Sequence, residues 1–152
     1  MNILERIKKD HDTAKNIMAE LSITNEETIK SRTDLFTTLK NDLILHIKAE
    51  EDILYNPLKK EKEAAERMLE SIEEHHIIEL LLNELKSRPK SEERWLPQLR
   101  VLREIVENHI RTEEEEVFDL AREILSKNQL EEMGNIFETN KRETRGRMKM
   151  AA

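Results

Sequence analysis

The chain has 152 residues, 39% charged and 37% hydrophobic, with two glycines and three prolines, which describes one domain of long amphipathic helices and leaves little room for a turn-rich β fold. A formal net charge of −7 removes the basic surface that general nucleic-acid binding requires. The absence of cysteine excludes disulfides, thiolate catalysis, iron–sulfur clusters and cysteine-ligated zinc, so a bound metal must use nitrogen and oxygen ligands.

Apolar residues recur at steps of three and four through four long segments. Ile3, Leu4, Ile7, His11, Ala14, Met18 and Leu21 predict a first helix over about 2–22. Thr24 and Glu27 have the spacing of a capping box, and Leu35, Leu39, Leu43, His46, Glu50 and Ile53 predict a second helix over about 26–57, ended by Pro57. Ala64, Met68, Ile72, His75, Ile78, Glu79 and Leu82 form the third stripe, which stops before Ser87-Arg88-Pro89. Trp95, Leu99, Leu102, Ile105, Val106, His109, Glu113, Val117, Leu120 and Ile124 predict a fourth helix over about 92–126. Leu130, Met133, Ile136 and Phe137 suggest a shorter fifth helix, weakened by Gly134, with a basic end from Lys141 to Lys149 that frays.

The fold class is therefore all-α: an antiparallel up-down-up-down four-helix bundle with a short C-terminal helix. The expected division is a bundle over 1–127 and a C-terminal helix with a frayed tail over 128–152. The N-terminal segment lacks an apolar run of signal-peptide length, and no stretch approaches the ~18 uncharged apolar residues of a membrane span. A cytoplasmic protein with neither a membrane nor a nucleic-acid partner is expected; the sequence identifies no protein partner.

An internal repeat organises the four helices. KDHDTAKNIMAEL (9–21) aligns without a gap to EEHHIIELLLNEL (73–85), and LHIKAEEDILY (45–55) to NHIRTEEEEVF (108–118). His11 falls on His75, His46 on His109, Glu50 on Glu113 and Tyr55 on Phe118. Each half contributes one inward histidine from its first helix and an inward His-x-x-x-Glu from its second. In that motif the two side chains are one turn apart on the same face and can share a metal.

A lone inward histidine is more often a hydrogen-bonded core residue than a ligand. Four of them with Glu50 and Glu113 are different, because the stripes carry no central Arg or Lys to pair two buried carboxylates. Imidazole and carboxylate without thiolate suit iron, manganese or zinc, and facing bundle helices with bridging carboxylates are the di-iron or di-manganese design. Glu114 and Glu115 read as a solvated face, Tyr55 lies on the far side of its helix from His46, and Glu116 is either an inward ligand-orienting residue or the solvated end of the core.

Lys9-Asp10-His11-Asp12, His46-Ile47-Lys48-Ala49-Glu50-Glu51 with Ile53 to Pro57, Glu73-Glu74-His75-His76 and His109-Ile110-Arg111-Thr112-Glu113-Glu114 resemble the hemerythrin-like, or HHE cation-binding, domains across residues 9–121. The resemblance implies a hemerythrin-like bundle holding two non-haem iron ions: His11 and His46 on one, His75 and His109 on the other, Glu50 and Glu113 bridging beside an oxo or hydroxo group. It implies a small diatomic or peroxide as partner, with dioxygen, peroxide or nitric oxide bound or reduced there. An iron-handling or iron- and oxygen-sensing module without turnover is the alternative, and whether the protein is an enzyme stays open. Oxygen-carrying hemerythrins place a second histidine one turn after the third-helix histidine, and a bridging Asp five residues after the last one. Glu79 and the four-residue spacing to Glu113 depart from that pattern. Glu79 is thus either a further ligand, or a carboxylate that supports one from outside or is partly solvated.

Overall fold

The computed structural model describes residues 1–151, and among these it contains five helices and no strand. α1 spans Ile3–Ser22 and is opened by Asn2, whose side chain accepts from the Glu5 N–H. α2 is composite, with a body Ile29–Glu50, a π-helical turn Glu51–Tyr55 and a last turn Asn56–Lys59. α3 spans Ala65–Ser87. α4 is composite in the same way, with Trp95–Thr112, a π-helical turn Glu113–Val117 and Phe118–Ile124. α5 spans Lys127–Ala151. α1 packs on α2 and α4, α3 packs on α4 and on the body and last turn of α2, and α5 lies against α1 and α2. The short connections between α1 and α4 make sequential helices antiparallel neighbours.

Two boundaries differ from the sequence expectation. The cap ahead of α2 is Asn25, not Thr24: its side chain accepts from the Glu27 N–H, its own N–H donates to the Thr28 hydroxyl, and a 3₁₀ turn Glu26–Thr28 precedes the helix. The Thr24 hydroxyl donates back to the Leu21 carbonyl and accepts from the buried Arg32. Pro57 does not end α2 either. The widened turn just before it gives the ring room, and the helix runs on to Lys59.

The largest difference is α5. Instead of a short helix and a frayed tail, one helix is continuous to Ala151, and Leu130 and Phe137 are buried in the same cluster as Ile3, Ile7 and Leu54. Two of its basic residues are paired with acids that are distant in sequence: Lys141 with Asp10, and Arg145 with Asp42. Gly134 is a docking contact, not a weak point. A Cβ there would overlap the Met1 carbonyl oxygen and come within 2.8 and 2.9 Å of the Asn2 and Ile3 backbone.

The core is divided in two. One apolar cluster includes Met18, Leu39, Leu82, Trp95 and Leu102, and the other includes Ile3, Ile7, Leu54, Met68 and Phe137. Between them, one turn from apolar neighbours on every helix, lies a layer of buried polar groups: His11, His46, Glu50, His75, His109 and Glu113.

Candidate metal centre

Each of the four bundle helices brings one histidine to this layer, and α2 and α4 each add a glutamate one turn later. All six are 5% exposed or less, which removes solvent as a partner for their charges. The ligand atoms form two groups, each within 4.8 Å of one another: His11, His46, Glu50 and Glu113, and His75, His109, Glu50 and Glu113. Both carboxylates belong to both groups.

The individual oxygens show how they are shared. Glu50 Oε2 lies 3.3 Å from His46 Nε2, and Oε1 lies 3.0 Å from His75 Nε2. Glu113 Oε1 lies 3.1 Å from His11 Nε2, and Oε2 lies 3.6 Å from His109 Nε2. Each carboxylate thus spans the two groups with one oxygen apiece. His75 Nε2 and His109 Nε2 face one another at 3.1 Å, a separation that requires a proton or cation between two nitrogen lone pairs.

The other nitrogen of each ring is held from outside by a carboxylate. Nδ1 of His46 bonds Asp10 at 2.8 Å and that of His109 bonds Glu74 at 2.6 Å. Nδ1 of His75 bonds Glu51 at 2.7 Å and that of His11 bonds Glu114 at 2.8 Å. The arrangement follows the sequence repeat. The acid preceding each first-helix histidine serves the second histidine of its own half, and the acid following each central glutamate serves the other half. An ionised carboxylate only accepts, so Nδ1 carries the proton and Nε2 is turned toward the centre.

Two residues read otherwise from the sequence join the site. Tyr55, fully buried, donates its hydroxyl to Glu113 Oε2 and stacks on His75 with centroids 5.2 Å apart at 15°. In an unbroken α-helix, nine residues after His46 would be about 180° away. The π turn Glu51–Tyr55 absorbs one residue and swings Tyr55 inward. Glu114, expected on a solvated face, is 23% exposed and bonds His11. The signal available for these acids was the repeat itself, which is acidic at 10 and 74 and at 51 and 114.

Glu79 is not brought into the centre. It is half-buried and supplies no oxygen to either group. Glu116 points to solvent beside Arg67, the solvated-end reading, and His76 is exposed beside Glu73.

The electrostatics favour positive charge at this point. Burial opposes a charged His46, but the Glu50 carboxylate and the Asp10 hydrogen bond outweigh it and raise the imidazole to about 10. For His75 burial is likewise overcome, by Glu50 and Glu51, and the value rises to about 9. His11 is raised against its burial by Glu113 and Glu114. Burial would lift Glu50, yet His46 and His75 hold it well below the ordinary carboxylate range. Even so, His11 Nε2, His46 Nε2, both oxygens of Glu50 and Glu113 Oε1 are buried without an aligned hydrogen-bond partner. Each such atom costs about 1–3 kcal/mol. Five of them converging on one point, from imidazole and carboxylate, is a donor set that fits a pair of cations.

Comparison with known proteins agrees with this geometry. The chain superposes on the crystal structure of a hemerythrin HHE cation binding domain-containing protein from Mycobacterium kansasii with a TM-score of 0.84 at 23% identity, covering 96% of this chain and 88% of that one. A curated relative from Nostoc sp., named a DNA nickase, is 28% identical over 148 residues, 97% of this chain and 41% of that protein, so the chain spans about two fifths of its length. The Hemerythrin HHE cation binding domain model matches residues 2–121, the stretch that carries every residue of the centre. The chain belongs to the hemerythrin HHE cation binding domain family.

Proposed function

We propose that the protein binds two non-haem iron ions, bridged by Glu50 and Glu113 and by an oxo or hydroxo group, and that it engages dioxygen, peroxide or nitric oxide there. The observation that carries this reading is the sharing of both carboxylates by two histidine pairs. Imidazole and carboxylate without thiolate suit iron, and bridging carboxylates on facing bundle helices are the di-iron design. His11 and His46 would hold one ion, and His75 and His109 the other. Iron in this setting would supply an electron-rich centre able to bind and reduce small oxygen or nitrogen species.

The protein's own groups prepare that chemistry. The Nδ1 carboxylates fix the imidazole tautomers, and the apolar clusters above and below exclude bulk water. The Tyr55 hydroxyl holds a proton at Glu113 Oε2. A cavity of about 220 Å³ borders His11 and His46, with room for several waters or a diatomic but not for a large substrate. The nickase name is not carried over: this chain covers 41% of that relative.

The test is metal analysis of protein purified with iron available, followed by optical titration of the reduced and oxidised forms with dioxygen, peroxide and nitric oxide. Two irons per chain with ligand-dependent absorption changes are expected. Two irons with no response would place the protein with iron-handling or sensing modules, and folded protein that never takes up iron would refute the reading.

A further inference from the structure

α5 reaches the centre on one side only. Phe137 sets its ring against His46, centroids 5.8 Å apart at 84°. One turn later Lys141 places Nζ 4.8 Å from the Phe137 centroid and donates to Asp10 Oδ2 at 2.6 Å. The same oxygen accepts from His46 Nδ1 at 2.8 Å. The four side chains close a loop that begins and ends on His46.

Lys141 is 12% exposed, so its charge is committed to this contact and to Glu138 at 3.5 Å. A charge-assisted bond of this kind holds geometry more firmly than a neutral one. Beside this contact Asp10, His46 and Lys141 line a cavity of about 220 Å³, so on that side no side chain packs against them. The related position in the second half is built differently. Glu74, which holds His109, takes its cation from Arg67 on its own helix, α3. His109 is therefore supported from within its hairpin, whereas His46 is supported from outside the four-helix bundle.

We propose that α5 is a clamp on the first cation position, with Lys141 as the positioning residue that fixes His46 through Asp10. This rests on the reading that both groups hold cations. The two positions are then inequivalent: detaching Lys141 loosens the ion held by His11 and His46 and leaves the other in place. Loss of a group that orients a metal-bound histidine typically weakens binding by about 10–100-fold.

The experiment loads the full chain with Co²⁺, adds excess chelator and follows release through the cobalt absorption, with metal counted in the desalted protein. In Lys141→Met, which keeps the stem and removes the charge, half of the bound Co²⁺ leaves on the order of ten-fold faster and half at the wild-type rate. Lys141→Arg restores slow release. Asp10→Asn, which keeps an acceptor for His46 and abolishes the charge pair, reproduces the half-fast pattern and keeps the test intact should Lys141→Met not fold. Arg145→Gln, which frees the same helix from Asp42 without touching Asp10, leaves both rates unchanged. Acceleration of both ions or of neither overturns the clamp, and so does an Arg145→Gln release curve that matches Lys141→Met. Wild-type protein that takes up no Co²⁺ overturns the underlying cation reading instead.

Discussion

Glu50→Gln is the most informative perturbation of the centre, because it changes charge and ligand number while keeping side-chain size. Glu50 is fully buried and offers one oxygen 3.0 Å from His75 Nε2 and the other 3.3 Å from His46 Nε2, so it serves both histidine pairs. A cation at about 100 times its dissociation constant stabilises the fold by about 2.7 kcal/mol per site. Two sites add roughly 5 kcal/mol, which for a chain of this size raises the unfolding midpoint by about 10–20 °C. The amide leaves one oxygen in place of two and no negative charge. Most of the metal-dependent rise should disappear in Glu50→Gln, whereas His11→Ala, which removes a ligand from one group only, should keep about half of it. The assay is thermal unfolding by circular dichroism with and without Fe²⁺ under anaerobic conditions, together with metal counting. A Glu50→Gln protein that keeps the wild-type rise, or equal losses in the two variants, would refute the bridging role.

Other outcomes follow from the same geometry. His46 at about 10 and His75 at about 9 must lose protons to bind metal, so binding should release protons and affinity should climb with pH up to that range; calorimetry in buffers of different ionisation enthalpy checks this, and a pH-independent affinity would contradict histidine ligation. In the metal-free protein these raised values stabilise the fold fully below the unfolded value of about 6.5, and that contribution is lost as pH rises through about 9–10, which urea unfolding across the range should show. Tyr55→Phe leaves Glu113 Oε2 without its hydroxyl donor and should cost about 1–3 kcal/mol in the metal-free protein, read from denaturant midpoints. Glu114→Ala should weaken metal binding by about 10–100-fold while Glu115→Ala should not, as competition with a chelator would show. Gly134→Ala should destabilise by about 1–3 kcal/mol despite better helix propensity, because the added methyl meets backbone that cannot move aside; faster hydrogen exchange over α5 is the second readout.

The sequence carried much of this because the polar layer obeys helical periodicity. His11, His46, His75, His109 and Glu50 sit at core positions of regular α-helix and Glu113 at the first residue of a π turn, before the phase shifts, and the repeat doubles the evidence for each. What escaped periodicity did so for identifiable reasons. The π turns after His46 and His109 shift the phase of everything beyond them, so Tyr55 points inward although a 3.6-residue period sends it out. Asp10, Glu51, Glu74 and Glu114 lie at the edge of their helices' apolar stripes and act on rings of neighbouring helices, a relation that no single stripe encodes. Glu79, one turn along from His75, has the inward phase but is half-buried and supplies no oxygen to either group. The α5 tail looked solvated because its charges are dense, and only the assembled bundle puts Asp10 and Asp42 beneath Lys141 and Arg145.

In the proposed centre two iron ions lie between two histidine pairs and two shared carboxylates. Crystals of iron-loaded protein, with anomalous diffraction recorded on both sides of the iron absorption edge, test it most directly. Two iron peaks per chain are expected, one against His11 and His46 and one against His75 and His109, with Glu50 and Glu113 lying between them. A single peak, or ordered helices with no iron signal in the polar layer, would contradict it.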